Sequence, residues 1–338
     1  MEIISRDKYF DFLSRRKLAL GISCALVLIS ILSIAIRGLN FGIDFTGGTL
    51  VEVGYRDGIA IESVRDVLSE SSHADAIVQH FGSTKDVLIR LPATGQGTDQ
   101  GNAAQLSSDI MSALREPFAE ELVEEATDSV QQCVSNGAVT DCQVQMRRVE
   151  FVGPQVGDEL ANQGGLAMIY ALIGILLYVA WRFEWRFAVG SVVALVHDVI
   201  ITVGLFSLFQ VEFSLSVLAA VLAVIGYSLN DTIVVYDRIR ENYRKMRKSD
   251  SIKIINNSIN QTLPRTILTS LTTMFVVVAL LIFGGEVIRG FSIALFIGVI
   301  VGTYSSIYVA SPVLVILKVT REDLMPVEKE GADLDQQP

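Results

Sequence analysis

Six apolar runs decide what this chain can become: Leu18–Ile36, Gly164–Ala180, Phe187–Phe209, Phe213–Val235, Thr266–Phe283 and Phe291–Leu317. A helix needs about 20 apolar residues to cross a bilayer, and only helices and closed barrels satisfy their backbone polar groups there. The runs therefore predict six transmembrane helices. The last is long, and is expected to tilt or break near Gly302. The first exceeds the roughly 7–15 apolar residues of a cleavable leader, and no clear Ala-x-Ala site follows it, so it reads as an uncleaved anchor. With 51% of its 338 residues hydrophobic, the chain lies outside the usual range of soluble domains.

Charge then sets the orientation. The tail 1–17 holds five Lys or Arg, the loop 181–186 two, the loop 236–262 seven and the tail 318–338 three, whereas 210–212 and 284–290 hold one between them. The positive-inside rule puts both termini in the cytoplasm and residues 37–160 outside. That outer segment has 20 Asp or Glu against 8 Lys or Arg, which argues against nucleic-acid binding. In the first tail, Lys8-Tyr-Phe-Asp-Phe-Leu mixes aromatics with charges. It reads either as a short amphipathic helix at the interface or as a disordered basic tail that only sets topology.

The outer segment has a pattern of its own. Gly47–Val53 alternates like a strand, Asp57–Ser69 has helical period, and Ala76–His80 with Asp86–Leu91 reads as two strands. Asn102–Glu125 reads as a second helix and Gln145–Val152 as a last strand. The order β-α-β-β-α-β predicts an α+β ferredoxin-like domain, between membrane helices one and two. Residues 93–101 and 127–144 are loops. The second carries Cys133 and Cys142 around a hairpin, either as a disulfide in an oxidising compartment or as two free thiols. His73 and His80 are too isolated to suggest a metal site. Gly153-Pro-Gln-Val-Gly157 joins the domain to helix two, either as a hinge (Gly153, Pro154, Gly157) or as a turn that only redirects the chain.

Polar residues inside the membrane are costly, about 2.5–3.5 kcal/mol for a central charge, and mark function by default. Helix four carries Asn230 and Asp231, and helix three carries His197 and Asp198. Helix five is expected to open near Thr262, with Pro264 in its first turn and Arg265 at its cytoplasmic start. Asp231 lies roughly 8 Å from the cytoplasmic end of its helix, within reach of the long Arg265 side chain, and His197-Asp198 lies roughly 15 Å deep. Arginine keeps its proton; an aspartate can exchange one, because burial and a neighbouring guanidinium act on it in opposite senses. Asp231, Arg265 and Asn230 thus form a candidate proton relay, which His197 and Asp198 would extend toward the other face. The competing reading of each group is a buried pair that only fixes helix packing. Trp181-Arg-Phe-Glu-Trp-Arg186 suits an interface belt, and small residues such as Gly190, Gly204, Ala223, Gly226 and Gly298 predict close helix packing.

Four motifs carry a resemblance: Phe41-Gly-Ile-Asp-Phe-Thr-Gly-Gly48, Gly153-Pro-Gln-Val-Gly157, Gly226-Tyr-Ser-Leu-Asn-Asp-Thr-Ile-Val-Val-Tyr-Asp-Arg-Ile-Arg-Glu241 and Pro264-Arg-Thr-Ile-Leu-Thr-Ser270. Over about residues 8–318 the chain resembles the smaller half of the SecD/SecF protein-export family, within the resistance-nodulation-division superfamily. The resemblance implies a bacterial inner-membrane protein with a periplasmic domain after helix one and a SecD partner supplying six further helices. It also implies docking to the SecYEG channel, often with YajC, and use of the proton gradient to assist unfolded preproteins. The family's relay aspartate and arginine correspond to Asp231 and Arg265. A further relay aspartate belongs to SecD. The cysteine hairpin and the Gly-rich stretch 93–101 are not features of the family core. No cofactor or metal is implied, and no nucleophile or nucleotide motif suggests an enzyme. A small-molecule exporter half of the same superfamily is the alternative, and a scaffold or sensor is a third reading. Full exporters carry two such halves in one chain.

Overall fold

A computed structural model describes residues 9–71, 73–92, 100–123, 131–135, 137–246 and 249–320. The start of the first tail, most of the Gly-rich stretch and the tail from 321 onward lie outside these residues. Six of the described helices are long and apolar enough to cross a membrane: α1 (Arg16–Arg37), α5 (Pro154–Arg182), α6 (Trp185–Phe209), α7 (Leu215–Lys245), α8 (Ser251–Phe283) and the run from α9 (Arg289–Ser305) through α10 (Ser311–Ile316). They are not equal in burial. About half of the apolar window of α6, α7 and α9 is buried (50%, 56% and 50%), against 22% for α1 and 11% each for α5 and α8. The first three are therefore the centre of the bundle. Small residues bring them together: a Cβ built on Gly298 of α9 would enter Val224 of α7, and one on Gly302 would lie 3.0 Å from Ser228. Close backbone approach of this kind drives association where the surrounding lipid is as apolar as leucine.

The helices depart from the sequence expectation at two places, in α8 and near the N-terminus. α8 begins at Ser251, so Pro264 sits inside it and not in its first turn. The proline removes one i→i−4 bond, while burial of Ile254, Ile255 and Ile259 against the core holds the preceding turns helical. Most of the expected loop 236–262 is thus helix, the ends of α7 and α8. The last span is irregular at a π turn, Ser306–Ala310, a few residues beyond Gly302. Near the N-terminus, residues 9–11 are not helical and Leu13–Arg15 form a single 3-10 turn. The side chains of Asn256 and Asn260 on α8 hold this segment, accepting from the Phe12 and Phe10 amides at 2.9 Å, and Leu13 is buried in the core. The segment is a strap across α8, neither an interfacial helix nor a loose tail.

The outer domain has one four-stranded antiparallel sheet in the order β2-β3-β1-β7, with β1 (Gly48–Tyr55), β2 (Ile77–Phe81), β3 (Ser83–Pro92) and β7 (Val144–Val152). Helices α3 (Ile61–Glu70) and α4 (Gln100–Arg115) cover one face. With β1-α3-β2-β3-α4-β7 as chain order, this is the ferredoxin-like arrangement. Alternation turns Val51, Val53, Val87 and Ile89 toward Val64, Leu68, Ile110 and Leu114, each worth about 1.5–3 kcal/mol when fully buried. α4 stops at Arg115, ten residues before the expected end. Pro117 cannot donate and disfavours helix at the residue before it, so a 3-10 turn at Glu116–Phe118 takes over. A second small sheet follows, from β4 (Glu121–Leu122), β5 (Gln132–Ser135) and β6 (Ala138–Asp141). Cys133 and Cys142 are joined as a disulfide across it.

Two glycine motifs form the joint between domain and bundle. The short helix α2 (Ile43–Thr46) leads into Gly47 at φ +65°, a conformation that favours glycine. A Cβ on Gly47 would lie 2.9 Å from Pro154 Cα, and one on Gly157 would lie 2.8 Å from Gly47 N. Gly153 is the N-cap of α5 and Pro154 its first residue. Gly153-Pro154-Gly157 is therefore not a bent connector ahead of the helix. It is the first turn of a continuous helix, laid against the backbone of Gly47.

Candidate functional site

Asp231 lies on the buried side of α7 and is 3% exposed. Its Oδ2 has no hydrogen-bond partner among the described residues, and the same holds for the neighbouring Thr232 Oγ1 and for Thr266 Oγ1 on α8. Buried polar atoms are nearly always paired, and an unpaired carboxylate oxygen is among the most costly groups to bury. Arg265 is its electrostatic neighbour from α8. The expected pairing is thus one of proximity: among the described residues no hydrogen bond or ion pair within 4.0 Å joins the two. Arg265 lies on an exposed side of α8, and Asn230, one residue before Asp231, faces outward too. Helical geometry separates these neighbours by about 100°, so Asp231 points into the bundle and Asn230 out of it.

His197 and Asp198 form a separate cluster, in which both oxygens of Asp198 are engaged. Asp198 is 1% exposed. Its Oδ1 is 2.8 Å from His197 Nδ1, and its Oδ2 accepts from Ser228 and Ser305, the latter at 2.7 Å. These partners come from α6, α7 and α9, the three central helices. Two serine hydroxyls and the His197 ring nitrogen thus engage both oxygens of one buried carboxyl group. Tyr304 lies over His197 with 6.4 Å between ring centroids, and His197 Nε2 is buried without a hydrogen-bond partner among the described residues. Ser228 precedes Asp231 by three residues on the same helix, one turn away. A second polar chain, Tyr227–Ser270–Thr303 (3.0 and 2.7 Å), crosses from α7 through α8 to α9. Sequence reading found the aspartates, and Ser228 as a polar residue of its helix, but neither Ser305 nor the pairing of both serines with Asp198. Serine and threonine are ordinary in membrane helices, and these partners lie 30 to 107 residues away from Asp198 in the chain.

One outward face of α7 is distinctive. Ser216, Ala219, Ala223, Gly226 and Asn230 recur every three or four residues and are all exposed. A Cβ on Gly226 would meet nothing within 4 Å. Such a small-residue stripe, ending in an amide, suits a closely packed helix better than lipid. Arg265 and Thr272 on α8 are exposed as well.

A six-helix bundle with a charged intramembrane site and one ferredoxin-like outer domain defines the class: a polytopic membrane transport subunit. Residues 132–320 match the family described as protein export membrane protein SecD/SecF, C-terminal, and residues 32–58 match the SecD/SecF GG motif. The protein translocase subunit SecF of Vibrio alginolyticus is 47% identical over 100% of this chain and 99% of its own. That of Pseudomonas aeruginosa is 48% identical over 94% of each. The crystal structure of SecDF from Thermus thermophilus, a translocon-associated membrane protein, superposes with a TM-score of 0.76 at 34% identity. It covers 94% of this chain, which spans 40% of the length of that one. The chain belongs to the SecD/SecF family of protein-export membrane proteins, on its SecF side. Gly47, on which α5 begins, lies within the segment that matches the GG motif.

Proposed function

We propose that this chain is the six-helix SecF-type half of a proton-driven export machine. Together with a SecD-type half it assists unfolded preproteins through the SecYEG channel on the periplasmic side, with YajC as an accessory. Both termini are cytoplasmic and residues 37–160 periplasmic, in the inner membrane of a bacterium. Protons are the coupling ion, and no other cofactor takes part. The observation that carries this reading is Asp231, a buried carboxylate with one oxygen unpaired and a guanidinium nearby on an adjacent helix. An aspartate in that position gains a neutral state on taking a proton and a charge partner on losing it. Each proton moved across 100 mV makes available about 2.3 kcal/mol, enough to shift a two-state helix arrangement by more than tenfold. Asn230 and Arg265 stand on the outward side of α7 and α8, where the partner half would supply the rest of the path. His197 and Asp198 continue the polar route deeper into the bundle. Gly153, Pro154 and Gly157, packed on Gly47, form the joint through which the outer domain follows α5.

The test is preprotein translocation into vesicles holding this chain and its SecD-type partner, with and without a proton gradient. Asp231→Asn is expected to remove the gradient-stimulated part and to spare the rest. Full stimulation in that variant would make the carboxylate structural and the proposed relay wrong.

A further inference from the structure

The outer end of α7, the helix that carries Asp231, is held by the segment leading into the outer domain. Phe41 and Phe213 form a parallel β-bridge. The Phe213 amide donates to Asn40 O at 2.7 Å, and the Gly42 amide donates to Phe213 O at 3.0 Å. Two residues on, Asp44 Oδ2 accepts from the Leu215 amide at 2.8 Å. Leu215 is the first residue of α7, and its N–H is one of the four that a helix start leaves unpaired. The local cap, Ser214, serves Val217 instead. A carboxylate at this position complements the helix dipole and makes a charge-assisted bond. Asp44 itself sits in α2, which passes through Gly47–Gly48 directly into β1, a central strand of the sheet. From Leu215 to Asp231 the helix is unbroken, about 24 Å at the helical rise.

We infer that Asp44 is a positioning residue for coupling: it clasps the outer end of α7 to the first strand of the outer domain, so that a displacement of α7 set off at Asp231 is handed to that domain. The inference rests on the proton-driven reading above. Asp44 is half-buried and Leu215 exposed, so their bond lies outside the bundle core. A continuous helix can shift as one body, and the Asp44 bond adds to the Phe41–Phe213 bridge in tying its first residue to the domain.

Two substitutions remove the same bond from opposite sides. Asp44→Ala deletes the acceptor. Leu215→Pro deletes the donor while keeping the helix, since proline is well tolerated at a first helical position. In vesicles holding this chain with its partner half, each is expected to cut the gradient-stimulated share of translocation about tenfold, the size of one charge-assisted hydrogen bond. The gradient-independent share and the membrane level should hold. Asp44→Asn keeps an acceptor oxygen and is expected to recover most of the stimulated share. The double variant should be no worse than either single one, as expected of two changes to one bond. If Asp44→Ala lowers the membrane level, Leu215→Pro decides. Wild-type stimulation in Leu215→Pro, with stimulation lost in Asp231→Asn, would overturn the clasp and leave the proton-driven reading standing. Stimulation that survives Asp231→Asn would overturn that reading, and this inference with it.

Discussion

Single residues at the joint are tuned by their surroundings, and Glu212 shows how. It lies in the short turn between α6 and α7, over a cavity of about 430 Å³ between the sheet and the membrane bundle. Burial holds its carboxyl above the usual glutamate range; Arg90, 3.9 Å away, pulls it down, and Asp44 and Glu150 push it up again. The folded protein therefore binds this proton more tightly than the unfolded chain does. Stability from this group is fully present at acid pH and declines as pH rises through the carboxylate range to the raised value. Glu212→Gln is expected to flatten that part of the stability–pH curve, measured by thermal unfolding of the purified protein from acid to neutral pH. Superimposable curves for variant and wild type would show that Glu212 titrates normally. The membrane carboxylates differ from it in kind. Asp198 has every oxygen engaged and locks three helices, whereas Asp231 is left with an oxygen to spare.

At the scale of elements, backbone proximity explains what side chains do not. α5 starts against Gly47 with no room for a Cβ at Gly157, whose nearest neighbours would be backbone atoms of Gly47 and Phe45. Gly157→Ala is expected to destabilise the joint by about 1–3 kcal/mol, as overpacking does. Gly165 of the same helix has nothing within 4 Å of a Cβ, so Gly165→Ala should be neutral or stabilising. Thermal unfolding of the two variants side by side separates a packing requirement from a general intolerance of α5. Equal melting points would dissolve the argument for a close-packed joint. The α7–α8 pair makes the complementary point. Its expected charged loop is mostly helix, because isoleucines at positions 254, 255 and 259 find the core and carry the chain past a proline.

For the whole molecule, uneven burial is the main fact. α6, α7 and α9 are central, while α5 and α8 turn most of their surface outward. Lipid accounts for the leucines, isoleucines and phenylalanines there. It does not account for Arg265 or Thr272 on α8, nor for the stripe from Ser216 to Asn230 on α7. A second half of the same kind would cover them. Gly226→Leu tests this, since a Cβ at this position meets no described atom within 4 Å. The variant is expected to reach normal membrane levels and melt normally, yet to fail in co-purification with a SecD-type partner. Normal recovery of the partner would move the interface elsewhere.

The sequence by itself determined the six spans, the outer ferredoxin-like domain and the candidate aspartates, because each rests on a local signal. Apolar runs of membrane length, period-two and helical alternation, and a charge in an apolar helix are all legible within a few residues. It also held the cysteine hairpin, whose spacing allowed a disulfide without requiring one. Only the tertiary structure decided which polar groups meet. Asp198 joins Ser228 and Ser305 while Asp231 keeps an unpaired oxygen, although both are aspartates in apolar helices. Partners 30 to 107 residues apart in the chain are chosen by helix packing, and no local pattern encodes them. The same is true of Asp44 at the start of α7 and of Gly47 against Gly157. Each of those contacts joins segments far apart in the chain, which the fold alone brings together.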